Sequence, residues 1–441
     1  MAPTRNLAPE SALSLPVTDP HAAAKPAADP ARGALLFDAL GLSLGMGIAL
    51  GLARFAYALL LPPMKADLGW SFAQAGTVNT VNAVGYLLGA LLCPWVLRRC
   101  RALPVFCWSC AATALLMALP GLSVSTLVLL AQRLSCGVGS ALIVVGGGML
   151  AARLAAHRPV QGGLLLGIYY GGAGWGVMLS AVLVPASLGR HAHGWQPAWL
   201  ALALGCAAFA VIAIRSAGKI EARPLPDAAH RAGGPGASTQ APSPGVAPAL
   251  PQAWYRYGWA LAAYGLFGVG YVGYMTFVIA LLGKLGMSAA VITGFYLLLG
   301  AAVVVSARLW ARLLDHARGG AALALLNLLL AVATLLPALS THPLAAFVSG
   351  ALFGATFLSL VTSTTAFVRH NLPPAQWAGG ISAFTVVFAI GQIVGPVAIG
   401  HVSDGAGLTR GFIYSGAVLC AAAALAIVQR PLGRGQTTVE V

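Results

Sequence analysis

Long apolar runs separated by short polar breaks recur along nearly the whole chain, and runs such as Leu325 to Leu339 and Val418 to Val428 are apolar on every face. A helix of a water-soluble domain keeps a polar stripe, whereas one that is apolar all round is surrounded by lipid or by other helices. At about 20 residues per crossing, the pattern predicts helices over 35–61, 72–97, 103–121, 125–152, 161–187, 196–214, 257–283, 288–311, 321–339, 344–368, 378–402 and 409–429. Residues 215–256 interrupt it with Pro224, Pro226, Gly233, Gly234, Pro235, Pro242, Pro244, Pro248 and Pro251, the composition of a flexible linker. The first 34 residues are rich in Ala and Pro and carry charges of both signs. They lack the apolar core of a signal peptide and read as a disordered tail, with 431–441 as a second tail. The expected fold is an all-α membrane protein with about twelve transmembrane helices in two six-helix bundles, 35–214 and 257–430.

The bundles repeat one another at a constant offset of 217 residues. Leu68-Gly69-Trp70-Ser71 falls on Leu285-Gly286-Met287-Ser288, Gly137 on Gly354, Gly162-Gly163 on Gly379-Gly380, and Gly174 on Gly391. One offset that holds from the first loop to the fifth helix points to an internal duplication, as in many transporters.

Composition agrees: 59% hydrophobic and 8% charged residues, with a mean hydropathy of +0.84, exclude a soluble globular domain. The net charge of +15 would suggest nucleic acid in a soluble protein. Here most of the 25 Lys and Arg lie in the tails, the linker and every second loop, including Arg98, Arg99, Arg101, Arg153, Arg158, Arg308, Arg312, Arg369 and Arg430. An excess of Lys and Arg on cytoplasmic loops orients both termini to the cytoplasm and leaves no nucleic-acid partner to invoke. The seven cysteines lie in or beside apolar segments, and Cys107-x-x-Cys110 has no second pair to complete a metal site. His191-x-His193 is equally incomplete. No P-loop, metal-binding His-x-x-x-His helix or acid pair occurs, so neither an enzyme, a cofactor nor ATP-driven transport is expected.

Two arginines, Arg54 and Arg133, fall inside apolar runs, and no Asp or Glu lies within the interior of any run. An arginine does not discharge by losing its proton, so in a membrane interior it must meet water, a polar partner or an anion. At about 1.5 Å per residue, both lie about 9 Å to the outer side of their helix midpoints. Internal partners for Arg133 are available in Asn79, Asn82 or Gln132, and Arg54 could instead cap carbonyls or reach the headgroups.

The run Gly51-Leu52-Ala53-Arg54-Phe55-Ala56-Tyr57 with Leu61-Pro62-Pro63-Met64, then Gln74-Ala75-Gly76 and Asn82-Ala83-Val84-Gly85-Tyr86-Leu87-Leu88-Gly89-Ala90, resembles the YbfB/YjiJ group of the major facilitator superfamily. The resemblance spans about 35–430. Arg133-x-x-x-Gly137-x-Gly139 is similar to the superfamily's fourth-helix motif, in which the arginine is linked to proton coupling. Gly167-x-x-x-Gly171-Gly172-Ala173-Gly174 resembles the antiporter motif without its proline. The loop after the second helix departs from the family pattern, with Arg98-Arg99-Cys100-Arg101 and no aspartate, while Asp315 with Arg318-Gly319 matches it better in the second half and implies gating residues. The resemblance also implies a bacterial inner-membrane location and a central cavity lined by the first and fourth helices.

With both arginines on that cavity, a carboxylate or phosphate is the solute that fits. At the 217 offset Arg54 corresponds to Tyr271 and Tyr57 to Tyr274. The candidate substrate residues are therefore Arg54, Arg133, Tyr57, Tyr274 and Gln392, with Tyr169, Tyr170, Trp175 and Phe384 as further walls. Gln392 precedes Gly395-Pro396, a candidate hinge. Asp38 is placed for a cytoplasmic gate, and Asp404 and His401 lie at the other face. The expected function is a secondary transporter, monomeric and embedded in lipid, that moves a small carboxylate by alternating access, with protons as the candidate coupling ion. The alternative is an exporter of amphipathic compounds, which commonly uses buried carboxylates when its cargo is cationic.

Overall fold

The computed structural model describes residues 32–158, 161–189, 191–224, 254–373 and 376–432. Residues 1–31 of the expected tail 1–34, most of the linker (225–253) and residues 433–441 lie outside the described residues, and Arg32–Ala34, expected in the tail, already belong to the first helix. Twelve helices among the described residues are long and apolar enough to cross a membrane. They are α1 (Gly33–Leu68), α2 (Phe72–Arg99), α3 (Ala102–Leu122), α4 (Thr126–Ala155), α5 (Gly162–Ser187), α6 (Gln196–Ala222), α7 (Tyr255–Lys284), α8 (Ala289–His316), α9 (Ala321–Leu339), α10 (Pro343–Asn371), α11 (Gly379–Ala406) and α12 (Leu408–Val428).

The largest departures from the expected limits are at α1 and α6. Helix α1 runs through Pro62 and Pro63 to Leu68 instead of ending at 61. Its extra turns place Arg54 only about 5 Å past the helix midpoint, nearer the middle of the helix than expected. Helix α6 continues past 214 to Ala222, carrying charged turns beyond the apolar stretch. Glu221 on this extension pairs with Arg101 and Arg153, and Arg223 just after it pairs with Asp38. These contacts stay within the first bundle and anchor the start of the linker.

The duplication holds at the level of backbone geometry. Gly69 and Gly286 end α1 and α7 with positive φ, 65° and 77°, a conformation glycine adopts without a Cβ clash. Two residues later, Ser71 and Ser288 cap α2 and α8, accepting from the backbone N–H of Gln74 and Val291. A Cβ on Gly137 would lie 2.2 Å from the Asn82 carbonyl oxygen, and one on Gly354 would lie 2.3 Å from that of Leu299, the residue equivalent to Asn82. Both bundles thus bring their second and fourth helices together through the same missing side chain.

The halves meet along three helix pairs: α2 with α11, α5 with α8, and the later part of α1 (Tyr57–Leu68) with α7. Backbones touch where Gly76 faces Pro396 and Gly174 faces Gly300. Polar ties concentrate toward the Gly69/Gly286 end. Asp404 of α11 accepts from the N–H groups of Phe72 (2.7 Å) and Ala73 (2.9 Å) at the start of α2, Thr80 donates to the Ile393 carbonyl (2.8 Å), and Asn79 donates to Thr276 (2.7 Å). Toward the other end, the first turns of α1 (Arg32–Met46) pack on α4, α5 and α6 of their own bundle.

Candidate functional site

The middle of α1, Gly47–Phe55, is π-helical, closed by an i→i+5 bond from Ala56 N–H to Gly51 C=O (2.9 Å). Such wide turns weaken the regular ladder and persist where neighbouring groups satisfy the backbone. Here Ser140 of α4 donates to the Ala49 carbonyl (2.9 Å), Arg133 to that of Ala53, and Tyr296 of α8 to that of Phe55 (2.7 Å). Helices from both halves therefore hold this segment.

Arg54 sits at its end with 4% of its surface exposed. Its Nη2 donates to Gln392 Oε1 of α11, and the Tyr271 hydroxyl of α7 donates to the same oxygen at 2.9 Å. One neutral amide oxygen therefore accepts from a guanidinium of the first half and a phenol of the second. Arg54 and Tyr271 are equivalent positions of the duplication. Arg54 Cζ also lies 5.8 Å from the Tyr86 ring centroid, and its Nε is buried without a hydrogen-bond partner.

Arg133 is fully buried. Nη1 donates to the Ala53 carbonyl, Nη2 to Asn79 Oδ1 (3.3 Å), and the Tyr57 ring centroid lies 5.3 Å from Cζ. Asn79 passes the chain on to Thr276 in the second half, while Asn82 donates to Arg133's own carbonyl (3.0 Å). Of the internal partners expected for Arg133, Asn79 takes the guanidinium and Gln132 turns to the sulfurs of Met117 and Cys136. In this conformation Arg133 ties α1, α2 and α4 together.

Of the sequence-derived candidates, Arg54 and Gln392 come into direct contact. The Tyr57 hydroxyl is committed to the Ala75 carbonyl (2.9 Å). The Tyr274 hydroxyl pairs with Ser349 (2.7 Å), and its ring stacks on Phe353 with centroids 4.0 Å apart, inside the second bundle. Tyr169 bonds the Ile143 carbonyl (3.0 Å). Among the gating candidates, Asp38 is engaged by Arg223 of its own bundle, and Asp315 and Arg318 are exposed at the end of α8 with no ion pair among the described residues. Asp404 does bridge the halves, through backbone N–H groups. His193, with positive φ, bonds Asp67 together with Trp195, and no metal-binding cluster occurs among the described residues.

The ion pairs Arg101–Glu221, Arg153–Glu221, His193–Asp67 and Arg223–Asp38 all lie near helix ends. Arg54 and Arg133 have no carboxylate partner among the described residues, so neutral oxygens and ring faces carry the whole burden of two buried cations. That is a costly arrangement in a medium of low dielectric. Sequence reasoning left Tyr271 and Tyr86 out of the site. The signal for Tyr271 was its 217-residue offset from Arg54; Tyr86 lay within the second-helix run without distinction.

Three comparisons bear on this geometry. The crystal structure of a point mutant of the nucleoside transporter NupG superimposes with a TM-score of 0.66 at 13% identity, covering 89% of this chain and 99% of that one. A bacterial homolog of the human lysosomal transporter Spinster, inward-facing and unoccupied, gives 0.64 at 16% identity over 91% and 97% of the two chains. Its inward-facing occupied form gives 0.61 at 17% identity over the same shares. These establish the fold. A search of curated proteins returned no match. The family model described as "Uncharacterised MFS-type transporter YbfB" matches residues 46–429, from the π-helical segment to the end of α12. The chain belongs to this YbfB-type family of major facilitator superfamily transporters, and it is a multi-pass membrane transporter rather than an enzyme.

Proposed function

We propose that the protein is a secondary active transporter that carries a small organic anion, a carboxylate, across the bacterial inner membrane by alternating access about Arg54. The observation that carries the reading is the pairing of Arg54 with a neutral amide oxygen. A guanidinium buried at the seam between two moving halves has no permanent counter-ion, and a solute carboxylate would supply one. The Gln392 oxygen then acts as a placeholder, receiving from Arg54 and Tyr271 what the solute would receive. Because those donors belong to opposite halves, exchanging the placeholder for a solute alters the contact between halves, which is what a transport cycle requires.

The excess of Lys and Arg on the loops at the Arg99 and Arg153 end supports a cytoplasmic position for that end. In this reading the joined Gly69/Gly286 end faces outward. The chain works as a monomer in this reading, since one copy contains the complete seam. An ion gradient supplies the energy, and protons are the coupling ion to test first.

The experiment is counterflow in proteoliposomes loaded in turn with a carboxylate, a neutral amide and an organic cation, with and without an imposed pH gradient. Counterflow confined to carboxylates supports the reading, and its stimulation by the gradient adds proton coupling. Counterflow of the cation alone would replace it with an amphipath exporter.

A further inference from the structure

We infer that the two halves are hinged along α5 and α8, and that the mouths of the transporter open at the other seam, where α2 meets α11. The inference rests on the fold and the duplication, whatever solute Arg54 receives. The 217-residue offset carries α2 onto α8 and α5 onto α11, so the two seams are equivalents of one another. They are nevertheless closed at different depths. On the α2–α11 seam the backbones touch toward the Gly69/Gly286 end. A Cβ on Gly76 would stand 2.4 Å from the Pro396 carbonyl oxygen, and one on Gly400 would stand 2.7 Å from Ala73 Cα. On the α5–α8 seam the close contacts begin at mid-helix and run the other way, toward the Arg153 end. A Cβ on Gly174 would lie 2.2 Å from the Gly300 carbonyl oxygen, one on Gly171 3.2 Å from that of Val304, and one on Gly167 3.3 Å from Ala307 Cβ.

The equivalent side chains turn away where the partner seam is tight. Gly167 and Gly171 of α5 correspond to Phe384 and Phe388 of α11. Phe384 packs on Tyr257 and Phe367, and Phe388 stacks on Phe267 and Tyr271, all inside the second bundle. Pro396 and Gly400 of α11 correspond to Leu179 and Leu183 of α5, whose side chains pack on Gly205 of α6 in their own bundle. Asp404 corresponds to Ser187, so the carboxylate that caps α2 from across the seam has no counterpart on α5.

The chemistry of the two seams separates their roles. The α2–α11 ties include hydrogen bonds, from the N–H groups of Phe72 and Ala73 to Asp404 and from Thr80 to the Ile393 carbonyl. Water entering an open mouth replaces such bonds at little net cost. The close α5–α8 contacts are glycine backbone against backbone and aliphatic groups, the packing that holds membrane helices together. Parting them would expose apolar surface to the water of the mouth with no hydrogen bond gained in return. Contacts at mid-depth and toward the Arg153 end therefore persist through the cycle, and the α2–α11 seam swings about them.

The test is distance measurement by pulsed electron spin resonance on the full-length protein in nanodiscs, with spin labels on keto-bearing residues so that the native cysteines stay in place. Labels at Ala66, just before the turn into α2, and at Gly405 report the α2–α11 seam; labels at Gly163 and Arg312 report the α5–α8 seam, and all four positions are exposed. Asp404→Ala should raise the population of the longer Ala66–Gly405 distance about fivefold and leave the Gly163–Arg312 distribution unchanged. A Gly163–Arg312 distribution that shifts in step would overturn the hinge, because both seams would then part together. An Ala66–Gly405 distance that does not lengthen would overturn α2–α11 as the parting seam. A staple gives an independent check. Gly167→Cys with Ala307→Cys brings two sulfurs to a contact near the usual Cβ separation of a disulfide, about 3.5–4.5 Å, and Gly171→Cys with Val304→Cys, one turn along, serves if the first pair misfolds. Oxidised and reduced forms of the stapled protein, each carrying Asp404→Ala, should show the same Ala66–Gly405 populations. Failure of both disulfides to form, or loss of the longer distance on oxidation, would overturn the hinge.

Discussion

The first and seventh helices are copies in design and opposites in chemistry. Both end on a left-handed glycine followed by a serine-capped helix. Yet α1 distorts into a π-helix and presents a guanidinium, while α7 stays α-helical from Gly258 to Lys284 and presents a phenol at the equivalent position. The two donors converge on one oxygen of Gln392. Duplication built the scaffold twice, and the charge was placed once. A symmetric pair of arginines would repel across the seam, whereas an arginine facing a tyrosine lets one neutral oxygen accept from both halves.

Breaking this asymmetry should act most strongly through Arg54. Arg54→Gln is expected to lower carboxylate binding about 100-fold or more, as removal of one partner of a buried charge pair does, with thermal unfolding in detergent close to wild type. The second arginine should answer in the opposite way. Arg133→Gln strips the Ala53 carbonyl and Asn79 of a charged donor, and should cost about 2–3 kcal/mol of stability, read as a lowered unfolding temperature. If Arg133→Gln unfolds like wild type but no longer binds, the division of labour between the arginines is wrong. Tyr271→Phe keeps the aromatic stack and removes one hydroxyl from a charged acceptor, an expected loss of about tenfold in carboxylate affinity. The smallest effect is structural. Asp404→Ala removes the carboxylate that caps α2 from across the seam and should shift the balance between states by about 1 kcal/mol, seen as faster labelling of a cysteine introduced at the Gly69/Gly286 end.

Much of the architecture was legible in the chain, because a span's length and apolar character are local properties that lipid enforces. The duplicated Leu68–Ser71 and Leu285–Ser288 turns were readable for the same reason: glycine and serine there answer to local backbone geometry. Arg54 and Gln392 could be named as candidates since polar groups are rare in such helices. Their pairing could not, because it depends on how two bundles sit together. The π-helical turn left no trace in Gly47–Phe55, whose mostly apolar residues suit an ordinary helix as well. It is stabilised by Ser140, Arg133 and Tyr296 from distant parts of the chain. Asp38 was read as a gate from its depth alone. Its partner, Arg223, lies just after a helical extension that the charged residues after 214 disguised as loop.

The claim that the Gln392 oxygen occupies the place of the solute carboxylate is tested most directly by building that carboxylate in. Gln392→Glu should give Arg54 a permanent counter-ion. The account predicts that this variant unfolds at a higher temperature than wild type and loses carboxylate counterflow in proteoliposomes, because its own side chain competes for the site. A Gln392→Glu protein that still exchanges carboxylates at the wild-type rate would contradict it.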